Sequence, residues 1–267
     1  MAVVPTDIHR RDFRENHTVA QIDHQALNLH PRDLTHHSLA DPHRGASALA
    51  DIILGGQDGL VNVLGVILGV AAATSDPRIV VVAGLAATFA ESVSMGAVAY
   101  TSTLAEADFY ESERAREYRH IQKVPKLERE EVRQLYRDKG FQGDLLDRIV
   151  DTITTNKDIW VAVMMAEEHQ LAPTDRKQAL GAALLVGFSA VVGSLIPLAP
   201  FVLLPVVPSM VASVAVTALV LFAVGAYKAR MTVGHPGKSG LEMAVIGTVS
   251  ALAGYAVGAL FKLPTVP

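Results

Sequence analysis

The chain has no cysteine and a single tryptophan in 267 residues, and aromatics make up only 6% of it. Without thiols there is no disulfide scaffold, no thiolate metal site and no thiol redox chemistry. An excess of basic charge is also missing: the formal net charge is −4 and the pI is near 6.2, so nucleic acid is not an expected partner. Nor does the composition have the bias of a disordered or collagen-like chain. What is present is 50% apolar residues at a mean hydropathy of +0.30, and these are unevenly placed.

The apolar residues gather into five runs, at 52–74, 79–104, 178–197, 201–227 and 241–261. At about 1.5 Å per helical residue each run is close to the length needed to cross a hydrocarbon core of about 30 Å. The third and fourth runs contain no charge, the first two carry one acid each, Asp58 and Glu91, and no run contains lysine or arginine. These features predict an all-α integral membrane protein with five transmembrane helices. Its expected parts are a tail (1–47), spans one and two (48–104), a helical insert (105–177) and spans three to five (178–263).

Basic residues set the expected orientation, because they concentrate on the cytoplasmic side. Arg10, Arg11, Arg14, Arg32 and Arg44 precede the first run, thirteen Lys or Arg lie in 105–177, and Lys228, Arg230 and Lys238 link runs four and five. The opposite links carry only Arg78 and none. The N-terminus and the insert are therefore expected in the cytosol. No apolar core of a signal peptide precedes the first run, so the tail is read as disordered and cytosolic. It holds His9, His17, His24, His30, His36, His37 and His43. Their spacing does not recur, so a solvated polar tail is the plainer reading beside that of a loose metal-collecting arm. The short loops and the lack of a targeting segment favour a bacterial plasma membrane, or a vacuolar membrane in a eukaryote.

Within the insert, the charged continuation of run two predicts one helix reaching Pro125. Further helices are expected at 127–139 with Gly140 as its stop, at 144–155, and at 157–171 before Pro173. In the helix at 144–155, Leu145, Leu146, Ile149, Val150 and Ile153 form an apolar stripe at helical spacing.

Candidate chemistry sits in two places. An acid inside a span is costly and normally faces a polar path or a partner, which singles out Asp58 and Glu91. Asn62 lies one turn from Asp58, and Met95 one turn from Glu91. With no cation in the runs to neutralise them, these acids point to a proton or cation path. In the insert, Glu117 with His120 and Glu128 with Glu131 are pairs three residues apart that share helix faces. Met164, Met165 and Glu168 bring thioethers and a carboxylate together. Solvated faces and core packing explain each motif alone. Together, carboxylate, imidazole and thioether suit Fe²⁺ or Mn²⁺ better than oxygen-seeking Ca²⁺ or Mg²⁺. The spacing of Gly65 with Gly69 and of Gly254 with Gly258 suits close helix crossing.

At these residues the sequence resembles the vacuolar iron transporter family of divalent-metal/proton antiporters, from about Asp51 to Phe261. The resemblance is carried by Asp58-Gly59-Leu60-Val61, Ser94-Met95-Gly96 and Met164-Met165-Ala166-Glu167-Glu168. It implies a homodimeric secondary transporter, not an enzyme, that gathers metal on its cytosolic helices and moves it out of the cytosol against protons. Fe²⁺ or Mn²⁺ would be the transported substrate, with no permanently bound cofactor; the partners would be metal ions, protons and the lipid bilayer. It also implies that Asp58 and Met95 belong to the transport path, and that Glu117, Glu128, Glu131, Met164, Met165 and Glu168 bind metal in the insert. Two positions depart from the family pattern. Ala87 stands where a glutamate is usual, with Glu91 one turn along the same face, and His120 replaces a second cytosolic glutamate. Two other readings remain at this point: a membrane-tethered di-iron carboxylate oxidase, suggested by Glu117-x-x-His120, and a non-transporting membrane scaffold.

Overall fold

The structure is a computed structural model that describes residues 47–261; all seven histidines of the expected tail lie outside them. Among the described residues every regular element is helical. The α-helices are α1 (Ser47–Thr74), α2 (Pro77–Lys123), α3 (Pro125–Asp138), α4 (Gly143–Thr155), α5 (Lys157–Val163), α6 (Gln178–Leu203), α7 (Val206–Met231) and α8 (Pro236–Leu260). A five-residue π-helical segment, Met164–Glu168, comes directly after α5.

Five helices, α1, α2, α6, α7 and α8, are long and apolar enough to cross a membrane. Their outward surfaces are greasy: Phe188 is 68% exposed and Leu219 68%. Water would penalise such faces at roughly 25 cal/mol per Å² of apolar area, and lipid does not. Inside the bundle, small residues replace large ones. A Cβ added to Gly254 or Gly258 of α8 would strike the backbone carbonyls of Gly65 and Gly69 on α1, so the expected glycine spacing is a backbone-to-backbone crossing. Between α1 and α6 the contact is equally close, with Gly59 set against Ala190 and Ser194. Beside these crossings, Val63, Leu64, Ile67, Leu68, Leu198 and Phe201 fill an apolar core.

The span boundaries differ from expectation around α6, which continues to Leu203 through Pro197 and Pro200. Span four correspondingly begins at Val206, later than the expected 201. The proline turns are braced from α7, where Ser213 Oγ donates to the Pro197 carbonyl at 2.6 Å and Ser209 Oγ to that of Pro200 at 3.0 Å. These bonds tie the last turns of α6 to the start of α7.

α2 is the element that positions the chemistry. Asp76 caps its start by accepting from the Arg78 and Ile79 amides at 2.8 and 3.4 Å, with Pro77 in the first turn. Its 47 residues extend about 70 Å, more than twice the hydrocarbon thickness of about 30 Å. The far half is the first helix of the insert. Pro125, which starts α3, ends it.

α3, α4 and α5 pack on that far half around Ile121, Val132, Leu146, Val150, Ile153, Trp160 and Val161. Gly140 ends α3 at φ +96°, a left-handed conformation that glycine adopts without strain. The expected α4 stripe is narrower than read: Leu146, Val150 and Ile153 are buried whereas Leu145 is 49% exposed. Asn156 caps α5 by accepting from the Asp158 amide at 2.8 Å. The single helix expected over 157–171 is instead α5 joined to the π-helical segment. That segment closes when the His169 amide donates to the Met164 carbonyl at 3.1 Å, five residues back.

Candidate metal sites

The insert gathers Glu117 and His120 from α2 and Glu128 from α3, with one ligand atom of each within 4.8 Å of the others. Both carboxylates are 3% exposed. Glu117 and His120 lie one turn apart, and the sharp α2–α3 corner at Val124 and Pro125 turns Glu128 back toward them. His120 Nδ1 stands 3.5 Å from Glu128 Oε1, and His169 Nε2 stands 3.3 Å from Glu117 Oε2.

Each glutamate keeps one oxygen in reserve. Glu117 Oε1 and Glu128 Oε2 are buried without a hydrogen-bond partner. Uncompensated, a buried carboxylate oxygen costs several kcal/mol, so it takes up a proton or a cation. Burial, reinforced by Glu117 and then Glu131, pushes the Glu128 carboxyl up to about 8. Glu168, at the rim, is also raised, by partial loss of water and by Glu131. The arrangement is a buried acid and histidine cluster able to coordinate a divalent metal ion.

Met164 and Met165 lie in the apolar core of the insert, 0% and 1% exposed, packed with Ile121, Val132 and Trp160. Their thioethers are thus held among apolar side chains. Around the insert, Arg129 pairs with Asp151, Arg133 with Asp147 and Lys139 with Glu167. Tyr118 donates to Asp158 at 2.6 Å. These contacts join α3 to α4, the end of α3 to the π-helical segment, and α5 to α2.

The second cluster lies between α1 and α2. Asn62 Nδ2 donates to Glu91 Oε1, and the Asp58 carboxyl adjoins Glu91. Met95 sits one turn further along α2 and is half-buried. Asp58 and Glu91 are half-buried too, and Asn62 is exposed. Leu54, Asp58, Asn62 and Val66 recur every fourth residue on α1, so the polar pair interrupts an outward stripe whose apolar members are 54% and 41% exposed. Ala87 packs against the apolar core of the bundle, whereas Glu91 reaches the polar pair. The two clusters are separated along α2 by the 26 residues from Glu91 to Glu117, about 39 Å of helix.

His169 was not among the residues singled out in the sequence. It adjoins Glu168 and is one of only three histidines outside the tail, which is the signal that could have raised it.

The sequence pattern of the VIT family matches residues 49–259. Vacuolar iron transporter 1 of Oryza sativa subsp. japonica is 32% identical over 223 residues, covering 83% of this chain and 88% of the relative. Vacuolar iron transporter 1 of Arabidopsis thaliana is 33% identical over 224 residues, covering 83% and 89%. The vacuolar iron transporter of Plasmodium berghei (strain Anka) is 30% identical over 237 residues, covering 85% of each chain.

Proposed function

The chain belongs to the VIT family of divalent-metal transporters, and from that premise we propose that it moves Fe²⁺ or Mn²⁺ out of the cytosol in exchange for protons. The observation that carries this reading is the pair of acid clusters on one continuous helix, α2, one within the membrane-crossing bundle and one in the insert. Relatives named for iron supply the ion class, and the carboxylate and imidazole donors suit both metals.

In this mechanism the insert faces the cytosol, as does the N-terminus, and concentrates M²⁺ on Glu117, His120, Glu128, Glu131 and Glu168, with Met164 and Met165 beside them. Binding displaces the proton that Glu128 holds below about pH 8. The ion then passes to Asp58, Glu91, Met95 and Asn62. Protons arriving from the far side compete for the same carboxylate oxygens and release it. Glu91 supplies the acid that Ala87 lacks. Because the Asp58–Asn62 stripe faces outward, the path is completed by a second copy of the chain, which makes the working unit a homodimer. A bacterial plasma membrane is the favoured setting, or a vacuolar one in a eukaryote.

Uptake into inverted vesicles tests this directly. With an imposed pH gradient and Fe²⁺, Mn²⁺, Co²⁺ and Zn²⁺ offered in turn, Fe²⁺ or Mn²⁺ should accumulate and the accumulation should collapse with the gradient. Vesicles that take up none of the four, or take them up regardless of the gradient, would overturn the reading.

A further inference from the structure

A second imidazole, which the acid pattern does not account for, lies at the edge of the insert cluster. His120, on α2, faces Glu128 at 3.5 Å, and His169, just past the π-helical segment, faces Glu117 at 3.3 Å. Both separations exceed the usual N–H···O length of about 2.9 Å. Each separation lies near the spacing of neighbouring ligands on one metal, while His169, in hydrogen-bond reach of Glu117, stands outside the Glu117, His120 and Glu128 group whose ligand atoms all come within 4.8 Å of one another. Donors about 2.1 Å from an ion stand about 3.0 Å apart at right angles and about 3.4 Å apart at the tetrahedral angle. The remaining carboxylate oxygens, Glu117 Oε1 and Glu128 Oε2, are buried and unpartnered.

The backbone explains how His169 comes to be there. The π-helical segment Met164–Glu168 leads directly into His169. The turn closes on the His169 amide, and Gln170, with φ at +54°, ends the helix immediately afterwards. The histidine is therefore held at the edge of the carboxylate pair, 30% exposed.

We propose that His169, held against Glu117, swings onto an ion bound by Glu117, His120 and Glu128, so that a second imidazole joins the donor set and sets its ion preference. This rests on the reading of the insert as a metal-gathering site and adds to it the residue that decides selectivity. Imidazole favours ions later in the first transition row, whereas Mn²⁺ is content with oxygen. Removing His169 should thus weaken Co²⁺ binding about ten- to a hundredfold while Mn²⁺ binding changes by a factor of a few.

The test uses the full chain in detergent with Mn²⁺ or Co²⁺ alone. Mn²⁺ bound to the intact protein is examined by pulsed electron paramagnetic resonance for imidazole nitrogen couplings, and both ions are titrated by calorimetry. Two nitrogens are expected in the wild type, one in His169→Ala and one in His120→Ala. His169→Gln, which still donates a hydrogen bond to Glu117, should behave like His169→Ala. If His169→Ala keeps both nitrogens, or if His169→Gln restores the Co²⁺ affinity, His169 only positions Glu117 and the proposal is overturned. Failure of the underlying reading looks different: the wild type binds no Mn²⁺, or binds it unchanged in Glu117→Gln/Glu128→Gln.

Discussion

The two acid clusters on α2 are built in opposite ways. In the insert, Glu117 and Glu128 are 3% exposed, have histidines beside them, and each hold one unpartnered oxygen in reserve. In the bundle, Asp58 and Glu91 are only half-buried, have an exposed amide for company, and adjoin an α1 stripe whose apolar members, Leu54 and Val66, are exposed. One site is closed within a single chain and the other is open. A closed site can gather an ion without help, whereas the open one needs a second surface to exclude lipid from its carboxylates. The roles proposed for them, capture and passage, rest on that difference.

Removing one site at a time and reading both functions would break or sharpen the contrast. Asp58→Ala should lower metal transport in proteoliposomes at least a hundredfold and leave metal affinity at the insert unchanged by calorimetry. The double variant Glu117→Gln/Glu128→Gln should do the converse: insert affinity falls about ten- to a hundredfold, and transport at saturating metal falls much less.

A smaller effect tests the state of the insert acids. Glu128 holds its proton up to about pH 8, so metal and proton compete below that value and raising the pH removes the competitor. Affinity of the full chain for Mn²⁺ should rise about tenfold per pH unit between pH 6 and 8 and level off above, if one proton leaves per ion. The metal-free insert has the matching weakness. A carboxyl raised in the folded state stabilises it below the unfolded value near 4.5, and that contribution is lost as pH rises through about 8. Metal-free protein should therefore melt at lower temperature at pH 9 than at pH 6, and Mn²⁺ should narrow the gap. Smallest of all, Arg133→Ala breaks an exposed pair with Asp147. It should leave the midpoint of a denaturant titration almost where it was, because exposed ion pairs stabilise little, and leave metal affinity unchanged, which would separate the surface charges from the buried ones.

The spans were legible in the sequence because lipid imposes a crude requirement, a long run without charge, that survives reading one residue at a time. The glycine spacing was legible for a related reason, since a close crossing needs small residues four apart on both helices, as at Gly65 and Gly254. Less visible were features that depend on a second element. α6 runs on through Pro197 and Pro200 with hydroxyls donated from α7, and no local pattern in 178–203 announces that support. Of the candidate ligands, Glu117, His120 and Glu128 could be read from spacing and from resemblance, but their convergence depends on the α2–α3 corner. His169 was out of reach because its place is decided by one amide bonding five residues back instead of four. Periodicity assumes a uniform helix, and the π turn is the point at which that assumption fails.

The most direct measurement tracks metal and protons together in proteoliposomes containing the full chain, with a metal-sensitive dye and a pH-sensitive dye inside the same vesicles. Fe²⁺ or Mn²⁺ and protons should move in opposite directions in the wild type, and Asp58→Ala should stop both fluxes. Metal movement without a proton flux, or undiminished movement in Asp58→Ala, would contradict proton-coupled export through the α1–α2 cluster.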